Sequence, residues 1–209
     1  MFYDPHQFPF VRILEENWLT IRREMRALQE GEFIAWPEHS LYGEKGWNTF
    51  GLYAFAQKQK RGCALCPETA RLVKKVPRLT MAGFSRIAPG GHIKPHCGYE
   101  GYSGLVLRCH LALDVPEGCG LRVGNETREW VPGKCLVFDD SFEHEAWNNG
   151  DQPRTILLLD FRNPFRRGPL VLNPQFTPEL IDFIEKDHLP RAGLLQNLAY
   201  RAWRVFNRE

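Results

Sequence analysis

The chain has 209 residues, which is long enough for one well-buried domain, so we expect a single domain over residues 1–209. Its formal net charge of +2 arises from 27 Lys and Arg against 25 Asp and Glu, a balance that does not predict a nucleic-acid partner. The sequence shows neither a secretory signal nor an apolar run of membrane-spanning length, so we expect a cytoplasmic protein with no transmembrane segment and with reduced cysteines.

Residues 10–76 are predicted to form a mainly helical flank. Apolar side chains recur there at spacings of four and three, as on one face of an amphipathic helix: Leu14, Trp18, Ile21, Met25 and Leu28. Residues 47–55 are aromatic and predicted to be extended, and a further helix is predicted from Pro67 to about Val76. We expect this flank to dock on a core formed by later residues.

Cys63 and Cys66 form a lone CxxC motif. Neither a second CxxC nor a His pair at zinc-finger spacing accompanies it, so a zinc or redox role is the minor alternative. The favoured interpretation is a loop before a helix, because Pro67 and Glu68 suit the first turn of a helix.

Residues 80–164 change in character to short apolar runs separated by Pro-Gly and Gly-Asn pairs. This pattern is typical of antiparallel strands in a sandwich or barrel, with a hairpin turn at Gly124–Asn125. We predict five strands, at 80–88, 104–115, 121–131, 134–138 and 154–161. The expected fold class is mainly β, with helices flanking the core on both sides.

Residues 176–207 are predicted to form a helical C-terminal extension. Thr177, Pro178 and Glu179 make a suitable helix start, with an N-cap, a proline and an acid in the first turn. The part from Leu194 to Phe206 mixes apolar and Arg residues at helical spacing. We expect it to pack on its own domain, and a membrane surface or a partner protein is the alternative.

Alternate residues of the strand predicted at 104–115 differ in character. In a strand they point to opposite faces, so one face is apolar and includes Cys109, while the other carries Arg108 and His110. In a closed barrel the second face is the interior, where a buried cation needs an anionic partner. A bound carboxylate would satisfy both side chains.

Two histidines, His96 and His144, are predicted at strand ends bordering loops, and Arg154 opens the strand after the second. Two imidazoles followed by a cation are what a mononuclear Fe(II) oxygenase needs to hold a metal and a dicarboxylate cosubstrate. Position 98, where such sites usually carry Asp, is Gly98. Glu100 is an alternative third ligand, although its loop offset assures no facial geometry.

The stretches around these residues resemble the aspartyl/asparaginyl β-hydroxylases, a family of Fe(II)- and 2-oxoglutarate-dependent oxygenases. The resemblance is carried by FSR at 84–86, PGGHIKPH at 89–96, LRCHL at 107–111, GNET at 124–127 and FDDSFEHE at 138–145. It implies that the single domain is an oxygenase with a double-stranded β-helix, the jelly-roll or cupin-like barrel. It also implies that His96 and His144 bind Fe(II). Family members share the absence of the acid at Gly98, with water in its place, whereas a related branch that hydroxylates lipid A retains it.

By the same resemblance, Arg154 pairs with the distal carboxylate of 2-oxoglutarate, helped by Ser85, and Trp47 forms an aromatic wall of the cosubstrate pocket. The alternatives are that Arg154 forms an ordinary salt bridge, that Ser85 is an ordinary strand hydroxyl and that Trp47 is a core aromatic residue.

The cosubstrate's metal end is assigned to the segment of Arg108, Cys109 and His110, where Arg108 could instead form an ordinary salt bridge. Asp139 and Asp140 are expected to support their loop or to orient His144.

The implied reaction consumes O2 and 2-oxoglutarate and hydroxylates a C–H bond, at the β-carbon of an aspartyl or asparaginyl group. The substrate class is a peptide, a carrier-bound amino acid or a small metabolite. Three alternatives stay open: a cupin enzyme of another reaction type, a halogenase with chloride at the place left by Gly98, and a noncatalytic partner-binding barrel.

Overall fold

The computed structural model describes residues 1–43, 46–54, 56–99, 102–167 and 177–183. Within them the strands are β1 Phe2–Tyr3, β2 Ile34–Ala35, β3 Trp47–Ala54, β4 Gln57–Lys58, β5 Leu79–Ile87, β6 His92–His96, β7 Val106–Asp114, β8 Cys119–Val123, β9 Glu126–Arg128, β10 Cys135–Phe138, β11 His144–Asn148 and β12 Arg154–Arg162. The α-helices are α1 Pro9–Glu16, α2 Trp18–Arg26, α3 Lys60–Leu65, α4 Pro67–Val73 and α5 Pro178–Phe183. None of these helices has the length and apolar character needed to cross a membrane.

The strands form two antiparallel sheets. The major sheet has the order β1-β10-β7-β12-β5-β3-β2, with β4 paired to β3, and the minor sheet has the order β6-β11-β8-β9. One buried cluster draws side chains from both sheets, among them Ile87 and Ile156 of the major sheet and Leu121 and Ala146 of the minor one. The two sheets therefore enclose an interior, which confirms the mainly β class and the predicted jelly-roll barrel.

The N-terminal helices cover the outer face of the major sheet. Leu14, Ile21 and Met25 are buried in a second cluster with residues of β7 and β12, so the predicted apolar stripe docks as expected. The stripe lies on two helices, α1 and α2, because the Asn17 side chain donates a hydrogen bond of 2.8 Å to the Ile13 carbonyl where α1 ends.

The extended segment predicted at 47–55 is confirmed, since β3 is a long strand of the major sheet and pairs with β5, while the short strands β2 and β4 were not predicted. Cys63 lies in α3 and not in a loop, and its thiol donates to the Leu52 carbonyl. Cys66 directly precedes α4, as expected, and burial raises the pKa of its thiol to about 12. Two buried, unreactive thiols in a hydrophobic core fit the structural interpretation of the CxxC motif.

Four of the five predicted strands are confirmed with small shifts of their ends, whereas the strand predicted at 121–131 is two strands, β8 and β9, joined by the predicted turn at Gly124–Asn125. Gly124 has a φ of +59°, a conformation that side-chain-bearing residues rarely adopt. β6 and β11 were not among the predicted strands, since both are short and polar. Pro95 is tolerated in β6 because β6 is an edge strand.

Most of the C-terminal extension predicted at 176–207, including Leu194 to Phe206, lies outside the described residues.

Candidate active site

The two histidines meet across the minor sheet. His96 is the last residue of β6, His144 is the first residue of β11, and the antiparallel ladder places them directly opposite each other. Their ring centroids are 4.2 Å apart. The prediction that both lie at strand ends is confirmed, and the strand pairing brings the imidazoles together.

Each imidazole is held in one tautomer by a backbone carbonyl. His96 Nδ1 lies 2.7 Å from the Lys94 oxygen, and His144 Nδ1 lies 2.9 Å from the Phe142 oxygen. A carbonyl only accepts, so Nδ1 carries the proton and Nε2 keeps its lone pair. Burial lowers the pKa of both histidines, and their mutual proximity adds to the effect at His144. Neutral imidazoles with an oriented Nε2 are the form in which histidine binds a metal.

The alternating faces of β7 are as predicted. His110 points into the barrel, where its ring centroid is 5.0 Å from that of Phe138, and Arg108 points the same way. Cys109 points to the opposite face and lies in the helix-covered core beside Cys135. The structure therefore does not bring the Cys109 side chain to the cosubstrate site, because neighbouring residues of a strand face opposite sides.

Arg108 is engaged by two buried acids. Its Nε and Nη2 donate to the Asp160 carboxylate at 2.8 and 2.9 Å, and Nη2 lies 3.2 Å from Asp140 Oδ2. Burial works against the charge, yet Asp160 and Asp140 hold the pKa of Arg108 above its ordinary value. The salt-bridge alternative is thus observed for this residue, and its role as a cosubstrate ligand stays a prediction.

Arg154 is buried without any such acid. Its side chain is 1% exposed, and its Nε and Nη1 have no hydrogen-bond partner in the described part of the chain. Burial lowers its pKa to about 10. The guanidinium carbon lies 4.3 Å from the ring centroid of Trp130. An unpaired buried cation is costly, so this is a place where a bound anion would be stabilising.

Two further side chains beside Arg154 have unpaired polar nitrogens. Both ring nitrogens of His110 lack a hydrogen-bond partner among the described residues. The indole nitrogen of Trp130 also lacks one there. We call Arg154, His110 and Trp130 the donor cluster. Trp130 was missed in the sequence, where the only signal was an aromatic residue preceding a Val-Pro-Gly turn.

Trp47 and Ser85 form another wall of the interior. The indole nitrogen of Trp47 donates to the Ser85 hydroxyl at 3.0 Å, and both side chains are buried. Because the Ser85 oxygen accepts this bond, its own proton is free to point elsewhere. Both residues lie on the inner face, as the two site assignments require.

The C-terminal segment reaches this wall through Glu38, a buried acid that the sequence did not single out. The Trp36 indole nitrogen and the Thr177 hydroxyl each donate to the Glu38 carboxylate at 2.9 Å. The Trp36 ring centroid lies 4.9 Å from that of Trp47. The start of α5 is therefore attached beside the aromatic wall.

Position 98 is closed to a side chain. A Cβ added to Gly98 would overlap the Ser103 hydroxyl and lie 2.8 Å from Asp140 Oδ2.

Asp139 supports its own loop, since its carboxylate accepts from the Ser141 amide at 3.0 Å. The hydrogen bond that orients His144 comes from Phe142 and not from either acid. Glu100 lies outside the described residues.

The described residues contain no group of three or more His, Cys, Asp or Glu placed to hold a metal ion. A metal at this site would therefore take two protein ligands, His96 and His144, and leave further positions to small molecules. The donor cluster supplies several N–H groups and no carboxylate, which suits a dicarboxylate. The residues present fit both a divalent metal and a dicarboxylate cosubstrate.

Comparison with known proteins gives a consistent result. The model of the aspartyl/asparaginyl β-hydroxylase family matches residues 15–164. A protein of Rhizobium tropici named ornithine lipid ester-linked acyl 2-hydroxylase is 38% identical over 82% of this chain and 63% of its own. The human aspartyl/asparaginyl β-hydroxylase is 36% identical over 81% of this chain. The matched part makes up only 22% of the human protein.

Among solved structures, one titled as an oxidoreductase of the 2OG-Fe(II) oxygenase family, from Burkholderia pseudomallei, superposes with a TM-score of 0.55. It covers 70% of this chain and 79% of its own, at 11% identity. A likeness at this identity concerns the fold alone, and it agrees with the jelly-roll barrel.

Proposed function

The chain belongs to the aspartyl/asparaginyl β-hydroxylase family, and from this membership we propose that it is an Fe(II)- and 2-oxoglutarate-dependent hydroxylase. One observation carries the proposal. Two imidazoles whose Nδ1 atoms carry the proton face the same barrel interior as Arg154, a buried cation with two nitrogens that have no partner among the described residues. A metal and a carboxylate would satisfy both halves of that interior.

In this proposal His96 and His144 hold Fe(II), and the bound ion with 2-oxoglutarate and O2 supplies the oxidising chemistry for a C–H bond. Arg154 binds the distal carboxylate, and Ser85, fixed by Trp47, donates its hydroxyl proton to the same end. His110 contributes a ring N–H. The apolar residues of the two sheets exclude water from the interior.

Two further features would set the surroundings of a bound metal. The carbonyls of Lys94 and Phe142 orient the imidazoles, and burial, which lowers the pKa of both histidines, keeps them neutral. The Asp140 carboxylate beside Gly98 disfavours an anion at that place, which argues against chloride and hence against the halogenase alternative.

The substrate we propose is an aspartyl or asparaginyl group, hydroxylated at its β-carbon, in a peptide, a carrier-bound amino acid or a small metabolite. The name of the Rhizobium tropici relative adds the acyl chain of a lipid as a second candidate. The position of Phe142 is compatible with an apolar substrate, because this exposed side chain lies two residues before His144 on the loop that carries it.

The test is anaerobic titration with Fe(II) and 2-oxoglutarate, followed by O2 and measurement of succinate and of a one-oxygen mass gain across peptides, amino acids and acyl lipids. His96→Ala and His144→Ala should abolish metal binding and succinate formation. His92→Ala is the matched control, since His92 starts the same strand but pairs with Glu145 on the outer face. Succinate formation that survived in both alanine variants would refute the proposal. Metal binding without turnover of any substrate would favour the noncatalytic barrel.

A further inference from the structure

Trp130 is the least expected member of the donor cluster. It follows β9, it is 4% exposed, and its indole nitrogen has no partner among the described residues. Its ring lies under the Arg154 guanidinium and nearly parallel to the His110 ring, at 24° and a centroid distance of 6.0 Å. Buried Trp nitrogens usually donate a hydrogen bond to an acceptor, so an acceptor on a bound ligand would stabilise this indole N–H.

The contact with Arg154 restricts how that side chain can point. A guanidinium donates its hydrogen bonds in its own plane, and the Trp130 ring, 4.3 Å from the guanidinium carbon, fills the space on one side and limits how that plane can turn. No described acid holds Arg154 Nε or Nη1, so no protein salt bridge fixes the orientation of that edge. The Trp130 ring is the only described cation–π partner of this guanidinium.

A fixed guanidinium edge matters most for a ligand with two carboxylates. A bound ion, held by His96 and His144, would bind the carboxylate at the metal end, so that end of the ligand would not need Arg154. The distal carboxylate needs the two N–H groups at one place and in one plane. Orientation of Arg154 therefore converts directly into preference for a dicarboxylate over a monocarboxylate.

We propose that Trp130 is a positioning residue that holds the Arg154 guanidinium in the plane in which it binds the distal carboxylate of 2-oxoglutarate. The inference rests on the proposed function, since it takes 2-oxoglutarate as the ligand. Trp130 acts through Arg154, and it sets the selectivity of the pocket for dicarboxylates.

The experiment measures the binding of two keto acids to protein loaded with Mn(II), a redox-inert substitute for Fe(II), by calorimetry. 2-Oxoglutarate has the distal carboxylate, and 2-oxobutyrate has the same metal-binding end without it. Trp130→Leu removes the aromatic ring beside the guanidinium and should weaken the binding of 2-oxoglutarate about 10-fold, while 2-oxobutyrate binds as before. Trp130→Phe keeps a smaller ring and should weaken 2-oxoglutarate only about 3-fold, which covers the case that the leucine variant fails to fold.

A double-mutant cycle separates positioning from general packing. In an Arg154→Leu background, Trp130→Phe and Trp130→Leu should have no further effect on either keto acid. Trp147→Leu is the control, because that ring packs over Gly120 on the outer face of the minor sheet, and it should leave both affinities unchanged.

The outcomes are distinct. Equal weakening of both keto acids by Trp130→Phe, or an effect of the same size without Arg154, would overturn the positioning role while leaving the proposed function in place. If the unmodified protein bound Mn(II) but showed no preference for 2-oxoglutarate, the proposed function would fall and this inference with it.

Discussion

Two arginines face the interior of the same barrel: Arg154 is fully buried, and Arg108 is largely buried, with 17% of its side chain exposed. Their surroundings differ in the acids that they contain. Arg108 lies between Asp160 and Asp140, whereas Arg154 has an indole ring at 4.3 Å and no acid within reach among the described residues. The charge of Arg108 is balanced by the protein itself. That of Arg154 is not, and its pKa falls to about 10 where that of Arg108 rises.

From this difference we expect Arg154 to have N–H groups available for a bound anion, whereas those of Arg108 are engaged by acids. Removal from water destabilises the charge of both guanidinium groups, but only at Arg108 do ion pairs with protein acids offset this loss in the ligand-free protein. An unpaired buried charge persists in a fold only where something else requires it, and a bound anion is the simplest requirement. Stability and ligand binding should therefore respond in opposite ways to changes at the two residues.

The largest effect is expected at Arg108. Arg108→Met leaves the buried carboxylates of Asp160 and Asp140 without their cation, and it should destabilise the protein by about 3–5 kcal/mol. Urea unfolding followed by circular dichroism measures the loss. Arg122→Met, which breaks ion pairs on the exposed face of the minor sheet, is the control and should cost much less. Equal losses would contradict the distinction between the two regions.

Crowding beside the Arg108 region should give the next largest effect. Gly98→Ala forces a Cβ onto the Ser103 hydroxyl and the Asp140 carboxylate, and overpacking of this kind should cost about 2–3 kcal/mol. The same unfolding measurement applies. Gly31→Ala, where nothing lies within 4 Å of the added Cβ, should be neutral. A stable alanine variant would mean that the Ser103 and Asp140 side chains can move aside at little cost.

The proton affinity of Asp140 gives a pH-dependent effect. Burial raises the pKa of Asp140 to about 6 although Arg108 opposes the shift. Because the folded protein takes up this proton before the unfolded chain does, the wild type should gain about 2 kcal/mol over Asp140→Asn as the pH falls from 7 to 4.5.

Denaturant titrations at the two pH values test this difference. Asp114→Asn is a control of opposite sign, because Arg22 and Arg26 outweigh burial and hold the pKa of Asp114 below its ordinary value. The stabilisation that Asp114 contributes is lost as the pH falls. Parallel pH curves for the wild type and Asp140→Asn would show that Arg108 keeps that acid ionised throughout.

The smallest effect, with the opposite sign, is expected at Arg154. Arg154→Met removes an unpaired buried charge at the loss of one cation–π contact, so the ligand-free protein should become more stable by about 1 kcal/mol. Thermal melts without ligands compare the stabilities of the wild type and Arg154→Met. Melts with 2-oxoglutarate and Mn(II) compare their ligand binding, since the ligands should raise the melting temperature of the wild type much more than that of the variant. A destabilised variant would place Arg154 in the scaffold with Arg108.

The sequence predicted the direction of side chains better than their partners. Strand alternation placed Arg108 and His110 inside the barrel, because a period of two follows from backbone geometry alone. It could not predict that Asp160 would neutralise Arg108, since their contact depends on the register of two strands 52 residues apart in sequence. Trp130 was missed for the same reason, because its contact with Arg154 exists only after the sheets close.

The position of β6 at the edge of the minor sheet has a consequence for how a metal would leave. In the described part of the chain, β6 pairs with β11 alone, while β11 is also held by β8. Edge strands open by local fluctuation more readily than central ones, so we expect His96 to separate from His144 without global unfolding. The exchange rate of a bound ion would then follow the local opening of one short strand and not the unfolding rate of the barrel.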